Sequence, residues 1–206
     1  MFSTLAQKQK GPNIWATLLK ELEPLQERGW LTTFTRNEGA TTLEDGTFKL
    51  GPITIIGTGE TPTANIIEMS PRFVYKDAPV THISKPIGTW TNGDWNGDSN
   101  DKSVIYWHPY LSPLASDAVT EALPGIFSWA QGVTDLNLPD TASQYVADAH
   151  SKGIQVRWWG LSEGGDWGVQ YKAQQKLGGD WIQADDLEAA VALENETKKG
   201  LATCPS

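Results

Sequence analysis

The second half of the chain shows two patterns of apolar and polar residues. One has the period of a helix, and the other is the continuous apolar run typical of buried strands. A helical pattern covers residues 141–151, and the apolar run at residues 154–159 predicts a strand. A second helical pattern follows at residues 166–177, before a short strand predicted at residues 181–184. Parallel strands need crossovers of about a dozen residues, so this alternation predicts an α/β protein with a parallel sheet.

The ends of these two strands carry the first candidate site residues. Trp158 and Trp159 lie at the end of the strand at residues 154–159, and Asp185 follows the strand at residues 181–184, just before a last predicted helix. Crossovers between parallel strands are nearly always right-handed, so both strand ends are expected at the same edge of the sheet. Ligands of α/β proteins bind at that carboxyl edge.

The first half of the chain shows the same elements less clearly. A helix is expected to begin at Pro12, and strands are predicted at residues 52–57 and 72–76. Residues 32–50 are polar and predict an irregular connection, while residues 117–123 show a helical pattern. Asp77 directly follows a predicted strand and is a weaker candidate for the substrate side.

Composition narrows the class of protein. The chain has 206 residues and 39% hydrophobic residues, which predicts one domain with a sizeable core. Its net charge of -9 argues against a nucleic-acid partner, which normally meets a basic surface. No apolar run is long enough to span a membrane, and the first ten residues lack the apolar segment of a signal peptide, so a cytoplasmic location is the default expectation.

Metal and nucleophile motifs are weak. The three histidines, His82, His108 and His150, have no metal-ligand spacing, although His108 follows a predicted strand and could face a site. Acidic and amide residues alternate at residues 94–100 as in a calcium loop, but Gly97 comes one place early and Ile105 stands where the closing glutamate should be. The single cysteine, Cys204, excludes a disulfide within the chain. No metal site is therefore predicted from the residues themselves.

Ten tryptophans leave two interpretations open. Trp90, Trp95 and Trp107 lie in or beside a loop-rich region, where exposed rings would stack on sugars. If the same rings are buried in the loops or the core, they pack against other side chains and bind no ligand. A carbohydrate-binding protein or glycosidase that uses these loops is therefore the alternative function.

Several stretches, taken in order, resemble one protein family. They are residues 15–32 (WATLLKELEPLQERGWLT), 51–59 (GPITIIGTG), 77–79 (DAP), 149–159 (AHSKGIQVRWW) and 178–187 (GGDWIQADDL). Their order and spacing resemble the fungal altered inheritance of mitochondria protein 6 family. That resemblance implies a phospholipase-C-like phosphodiesterase related to glycerophosphodiester phosphodiesterases, with a TIM-barrel fold. It also implies hydrolysis of a small or lipid-derived phosphoric diester with a divalent cation, magnesium or calcium.

The beginning of the chain departs from the family pattern. The family's histidines and its Glu-x-Asp metal pair cannot be placed, and residues 6–11 (AQKQKG) stand where an acidic strand should enter the first helix. The expectation is an incomplete barrel without its first strands: an irregular start at residues 1–11, a barrel domain at residues 12–196 and a tail at residues 197–206. Because cations assist phosphodiester hydrolysis, such a chain is expected to have little activity alone. Trp158, Asp185, Asp77 and His108 would line its substrate side, and exposed strand edges would favour self-association, or a non-catalytic interaction protein.

Overall fold

Strands and helices alternate along the chain in the computed structural model, which describes residues 2–6, 12–59, 61–87, 105–119, 140–160, 167–184 and 186–202. The strands are β1 (Phe2–Ala6), β2 (Thr33–Arg36), β3 (Gly46–Lys49), β4 (Ile55–Gly59), β5 (Val74–Ala78), β6 (Leu114–Ala118) and β7 (Gln155–Trp159). The helices are α1 (Pro12–Glu27), α2 (Thr63–Glu68), α3 (Asp140–Ser151), α4 (Trp167–Lys176) and α5 (Leu187–Ala202), with a short 3-10 turn at Val80–His82.

Five strands form one parallel sheet in the order β1-β4-β5-β6-β7. Trp181 adds a single parallel bridge to Arg157 beyond β7, where the sequence predicted a full strand at residues 181–184. The prediction of an α/β protein with a parallel sheet is confirmed. Each pair of neighbouring strands in this sheet is parallel, so all carboxyl ends lie along one edge.

The two faces of the sheet differ in what covers them. Val74, Ala115 and Val156 belong to the main core, which also contains apolar residues of the helices, such as Leu22 of α1 and Val146 of α3. The alternate positions of the strands form a second buried cluster, Ile56, Tyr75 and Leu114. Strand residues alternate between faces, so the helices with described core residues pack on one face and this second cluster lies on the other.

The polar connection at residues 32–50 contains an antiparallel hairpin, β2–β3, which the sequence analysis missed. Phe34 of β2 is buried and stacks on Tyr110 with ring centroids 5.1 Å apart. Backbone hydrogen bonds tie Phe34 to Arg72, just before β5, so the hairpin lies at the amino ends of the parallel strands. Strand pairing, the burial of Phe34 and its backbone bonds to Arg72 order a stretch whose average polarity predicts a loop.

At three places the secondary structure differs from the pattern expected from the sequence. The start is not irregular throughout, because residues 2–6 form strand β1 and pair with β4. Helix α5 extends to Ala202, so most of the predicted tail at residues 197–206 is helical. Asp117 lies in strand β6, and the helix predicted from that residue is absent at residues 117–118. In each case pairing or packing with distant residues outweighs the local pattern.

Among the described helices, none combines the length and the apolar character that crossing a bilayer requires.

Candidate functional site at the carboxyl edge of the sheet

Polar side chains from three neighbouring strands meet at the carboxyl edge. Asp77, near the end of β5, accepts a hydrogen bond of 2.9 Å from Ser116 Oγ of β6. The guanidinium Nη2 of Arg157, on β7, lies 3.5 Å from the same Ser116 oxygen. Ser116 and Arg157 are register partners, so strand pairing fixes this row of side chains.

Lys76 brings a second cation to Asp77. Its side chain is fully buried, and its Nζ lies 3.6 Å from Asp77 Oδ1 while donating to the carbonyl of Gly59 at the end of β4. An ammonium group removed from water must be satisfied by nearby acceptors, which the carbonyl and the carboxylate supply. The ends of β4, β5, β6 and β7 are therefore joined by one set of polar contacts.

Burial and neighbouring charges shift the pKa values of Asp77 and Arg157 in opposite directions. Desolvation raises the pKa of Asp77 above its usual value, while Lys76, the Ser116 hydroxyl and Arg157 oppose the rise. Desolvation likewise lowers the pKa of Arg157, and Asp77 opposes that change. The guanidinium remains protonated at neutral pH, so the row carries two cations and one carboxylate.

Two buried polar atoms beside this row have no hydrogen-bond partner among the described residues. They are Nε of Arg157 and Oγ1 of Thr58, on β4. Extending the β4–β5 register by one residue places Thr58 opposite Asp77, on the same face of the sheet. Unsatisfied buried donors are costly, so both atoms are suited to bind an oxygen atom of a ligand.

The charge of the site selects the kind of ligand. Arg157 brings a positive charge and a buried Nε without a described partner to this edge, which suits an anionic oxygen of a ligand such as a phosphodiester. A divalent cation does not fit, because the row offers one carboxylate between two positive groups. Within the described ranges no group of three or more His, Cys, Asp or Glu residues could hold a metal ion.

A second hydrogen-bonded chain lies beside this row. Oδ2 of Asp117, on β6, accepts bonds of 2.8 Å from the backbone N–H of Thr81 and 2.9 Å from its hydroxyl. The Thr81 hydroxyl oxygen is in turn 2.9 Å from Nδ1 of His82. Since Thr81 Oγ1 donates its only proton to Asp117, it accepts from His82, which places the proton of a neutral His82 ring on Nδ1. This chain fastens the turn after β5 to β6.

The structure brings only one of the four predicted site residues into the row. Asp77 is its central carboxylate. Trp158 is fully buried in the main core, and its indole N–H donates to the carbonyl of Leu177, 3.2 Å away, on the face opposite Asp77. Asp185 lies outside the described residues.

His108 lies at the other end of the strands. It is 6% exposed, precedes β6, and contacts the ring of Tyr110 edge-on at a centroid distance of 6.2 Å. The carbonyl of Tyr110 accepts from Arg72, which comes before β5, so this region belongs to the amino ends. Burial, with a smaller effect of Arg72, lowers the pKa of His108 to about 4.

Sequence reasoning missed Lys76, Ser116 and Arg157. Lys76 and Arg157 lay within predicted strands, where a charged residue between apolar neighbours is a usable signal of a polar row. No such signal marked Ser116 in the sequence, because strand β6 itself was not predicted. Trp90 and Trp95, on which the sugar-stacking alternative depends, lie outside the described residues, as do residues 94–100. Trp107, the third tryptophan of that hypothesis, is 2% exposed and packs in the core.

Comparison with known proteins supports the family resemblance. Residues 3–77 match the sequence profile of the AIM6-like phosphodiesterase domain. The chain is 25% identical over 188 residues to the altered inheritance of mitochondria protein 6 homolog of Arthroderma benhamiae, covering 89% of this chain and 50% of that protein. It is 24% identical over 196 residues to altered inheritance of mitochondria protein 6 of Zygosaccharomyces rouxii, covering 84% and 40%.

The chain thus spans half or less of the length of each of these curated relatives. No solved structure matches it. The profile and both relatives confirm the resemblance to the fungal altered inheritance of mitochondria protein 6 family.

Proposed function

We propose that this chain, similar to the altered inheritance of mitochondria protein 6 family, forms the phosphodiester-binding wall of a phospholipase-C-like phosphodiesterase. The observation that carries the proposal is the row of Lys76, Asp77, Ser116 and Arg157 at the carboxyl ends of neighbouring parallel strands. The Arg157 guanidinium, whose buried Nε has no partner among the described residues, suits a phosphoryl oxygen. The AIM6-like phosphodiesterase profile matches residues 3–77, which end at this carboxylate.

We further propose that the sheet belongs to a TIM-like barrel. Right-handed crossovers between strands in sequential order place every connecting helix on the same face. In this proposal the opposite face, with buried Ile56, Tyr75 and Leu114, is covered by strands of the same curved sheet. A barrel interior filled with side chains is the known solution to that requirement.

In this proposal the residues of the row have separate roles. Arg157 holds a phosphoryl oxygen through charge-assisted hydrogen bonds. Lys76 adds positive charge and anchors Asp77, and Ser116 orients the Asp77 carboxyl group. Asp77 is the carboxyl group placed to exchange a proton with the reacting group. Because the described donor set does not fit a divalent cation, hydrolysis by this chain alone is expected to be slow or absent.

Binding of a simple phosphodiester tests the proposal. Isothermal titration with glycero-3-phosphoglycerol should give measurable affinity that Arg157→Gln weakens at least about tenfold, the loss expected for a hydrogen bond to a charged group. Arg36→Gln is the matched control, because Arg36 is also part-buried but donates to the carbonyl of Ile67, away from the row. Equal affinity in wild type and Arg157→Gln would overturn the binding site.

Turnover is measured separately with bis(4-nitrophenyl) phosphate, with and without magnesium or calcium. We expect little release of nitrophenolate under either condition. Rapid, metal-dependent release by the pure chain, abolished by a chelator, would contradict the expected low activity while leaving the binding site intact.

A further inference from the structure

We propose that the open end of the β2–β3 hairpin docks on an anionic phospholipid surface. This inference is independent of the function proposed above, because it concerns the amino ends of the strands. Trp30, Phe48 and Leu50 are 44%, 42% and 76% exposed there. Two of these residues are aromatic, and water contact with such large apolar side chains is unfavourable, so they mark an interaction surface.

The backbone holds the segments that carry these three residues side by side. The N–H of Ile53 donates to the carbonyl of Trp30 over 3.0 Å, three residues after Leu50. Gly51 follows Leu50, and its N–H donates to the hydroxyl of Thr32 over 3.1 Å. Phe48 and Leu50 are two residues apart in an extended segment and share one side of it.

Two cations accompany this apolar group. The guanidinium of Arg28 lies 5.3 Å from the ring centroid of Trp30. Lys49 separates Phe48 from Leu50, and its Nζ would lie 4.0 Å from a Cβ atom added at Gly29, beside Arg28 and Trp30. Positive charge gathers here in a chain whose net charge is -9. The acidic residues Glu44 and Asp45 lie at the turn of the hairpin, the end away from Leu50.

Charge and size favour a lipid surface over a protein partner. Aromatic rings with interleaved Lys and Arg suit the boundary between anionic headgroups and acyl chains. The exposed apolar area of these side chains is roughly 300 Å², well below the ~800 Å² per partner of a stable protein interface. Insertion of a few side chains into a bilayer needs no such area, because the lipid closes around each of them.

Co-sedimentation with vesicles tests the proposal. The full chain should bind vesicles of phosphatidylcholine mixed with phosphatidylserine, bind pure phosphatidylcholine less, and be released by high salt. Lys49→Gln should weaken binding about fivefold and Leu50→Ser about tenfold. Leu187→Ser is the matched control, since Leu187 is 72% exposed on α5, outside the hairpin.

Two kinds of result would overturn the proposal. One is a result with vesicles: absence of binding to the mixed vesicles, or an equal loss in Leu187→Ser and Leu50→Ser. The other is a dimer in sedimentation velocity without lipid that Leu50→Ser abolishes, which would assign the surface to a second copy of the chain. Loss of phosphodiester binding in Arg157→Gln bears on neither result, because that residue lies at the carboxyl edge.

Discussion

His108 shows how strongly a single buried side chain can depend on its surroundings. Both of its ring nitrogens lack a hydrogen-bond partner among the described residues, and its pKa is lowered to about 4. Protonation would place a second positive charge near Arg72, whose guanidinium donates to the carbonyls of Ile66, Ile67 and Tyr110. The folded protein therefore keeps His108 neutral at a pH where the unfolded chain would bind a proton.

This difference predicts an acid-dependent loss of stability. Between pH 6.5 and pH 4 the unfolded state binds a proton that the folded state rejects, so the free energy of unfolding falls as the pH falls through this window. The loss is at most about 3 kcal/mol. His108→Phe keeps a ring against Tyr110 and should flatten the pH dependence, measured by urea unfolding at several pH values.

His150→Gln is the control, because it removes a histidine that lies on the surface and contacts Asp180 at 2.8 Å. The slope between pH 6.5 and pH 4 should persist in that variant. An unchanged slope in His108→Phe would show that other groups cause the acid sensitivity.

Residue-level chemistry was only partly predictable from the sequence. Asp77 could be identified because it follows an apolar strand and precedes Pro79, so its place at the carboxyl edge required only strand order. Trp158 was assigned to the same edge, but the alternation of strand residues turns it toward Leu177 and the core. The side of the sheet that a residue faces depends on register with neighbouring strands, which this sequence does not reveal.

Helix α4 ends in a turn that depends on glycine. Gly178 has a φ of +73°, and a Cβ atom there would lie 3.1 Å from Cγ1 of Val146 on α3. The left-handed conformation costs a non-glycine residue roughly 1–2 kcal/mol, and contact with α3 adds to this cost. The glycine therefore both terminates α4 and permits its close approach to α3.

Gly178→Ala should lower the free energy of unfolding by more than Gly39→Ala. Gly39 has a φ of +77°, but a Cβ atom there would meet nothing within 4 Å, so it reports the backbone cost alone. We expect about 1 kcal/mol for Gly39→Ala and about 2 kcal/mol or more for Gly178→Ala. Equal losses in thermal unfolding would mean that α3 moves away without cost.

Elements with strong apolar periodicity were predictable, and those stabilised by distant partners were not. Helices α1 and α3 and strand β7 match the sequence pattern closely, because each carries its own apolar stripe or run. Strand β6 (LASDA) contains Ser116 and Asp117, which bond to Asp77 and Thr81. Because of these polar residues at its carboxyl end, the strand cannot be predicted from local hydrophobicity.

The strands of the sheet differ in how much structure must open before their amides exchange with solvent. β5 lies between β4 and β6, whereas β1 pairs only with β4 within the described residues. Opening an outer strand disrupts one ladder of hydrogen bonds, and opening β5 disrupts two and exposes the core.

Hydrogen exchange measured by mass spectrometry should therefore distinguish these strands. Amides of β5 should exchange at least about ten times more slowly than those of β1, because β5 opens only with the core. Equal protection would indicate that another strand or a second copy covers the outer edge of β1. The sequence predicted the parallel sheet, but the number of neighbours of each strand follows only from the order of the strands in the folded sheet.

The strands of this sheet lie in the same order in space as in the chain. Each group of side chains at the carboxyl edge therefore comes from a separate short segment of the chain. β5 supplies Asp77, β6 supplies Ser116 and β7 supplies Arg157, each followed by its own connection. Ligand preference can therefore be altered by exchanging one strand end and the connection that follows it between relatives. The other strands keep their register in such an exchange. A sheet built in this way lends itself to modular redesign.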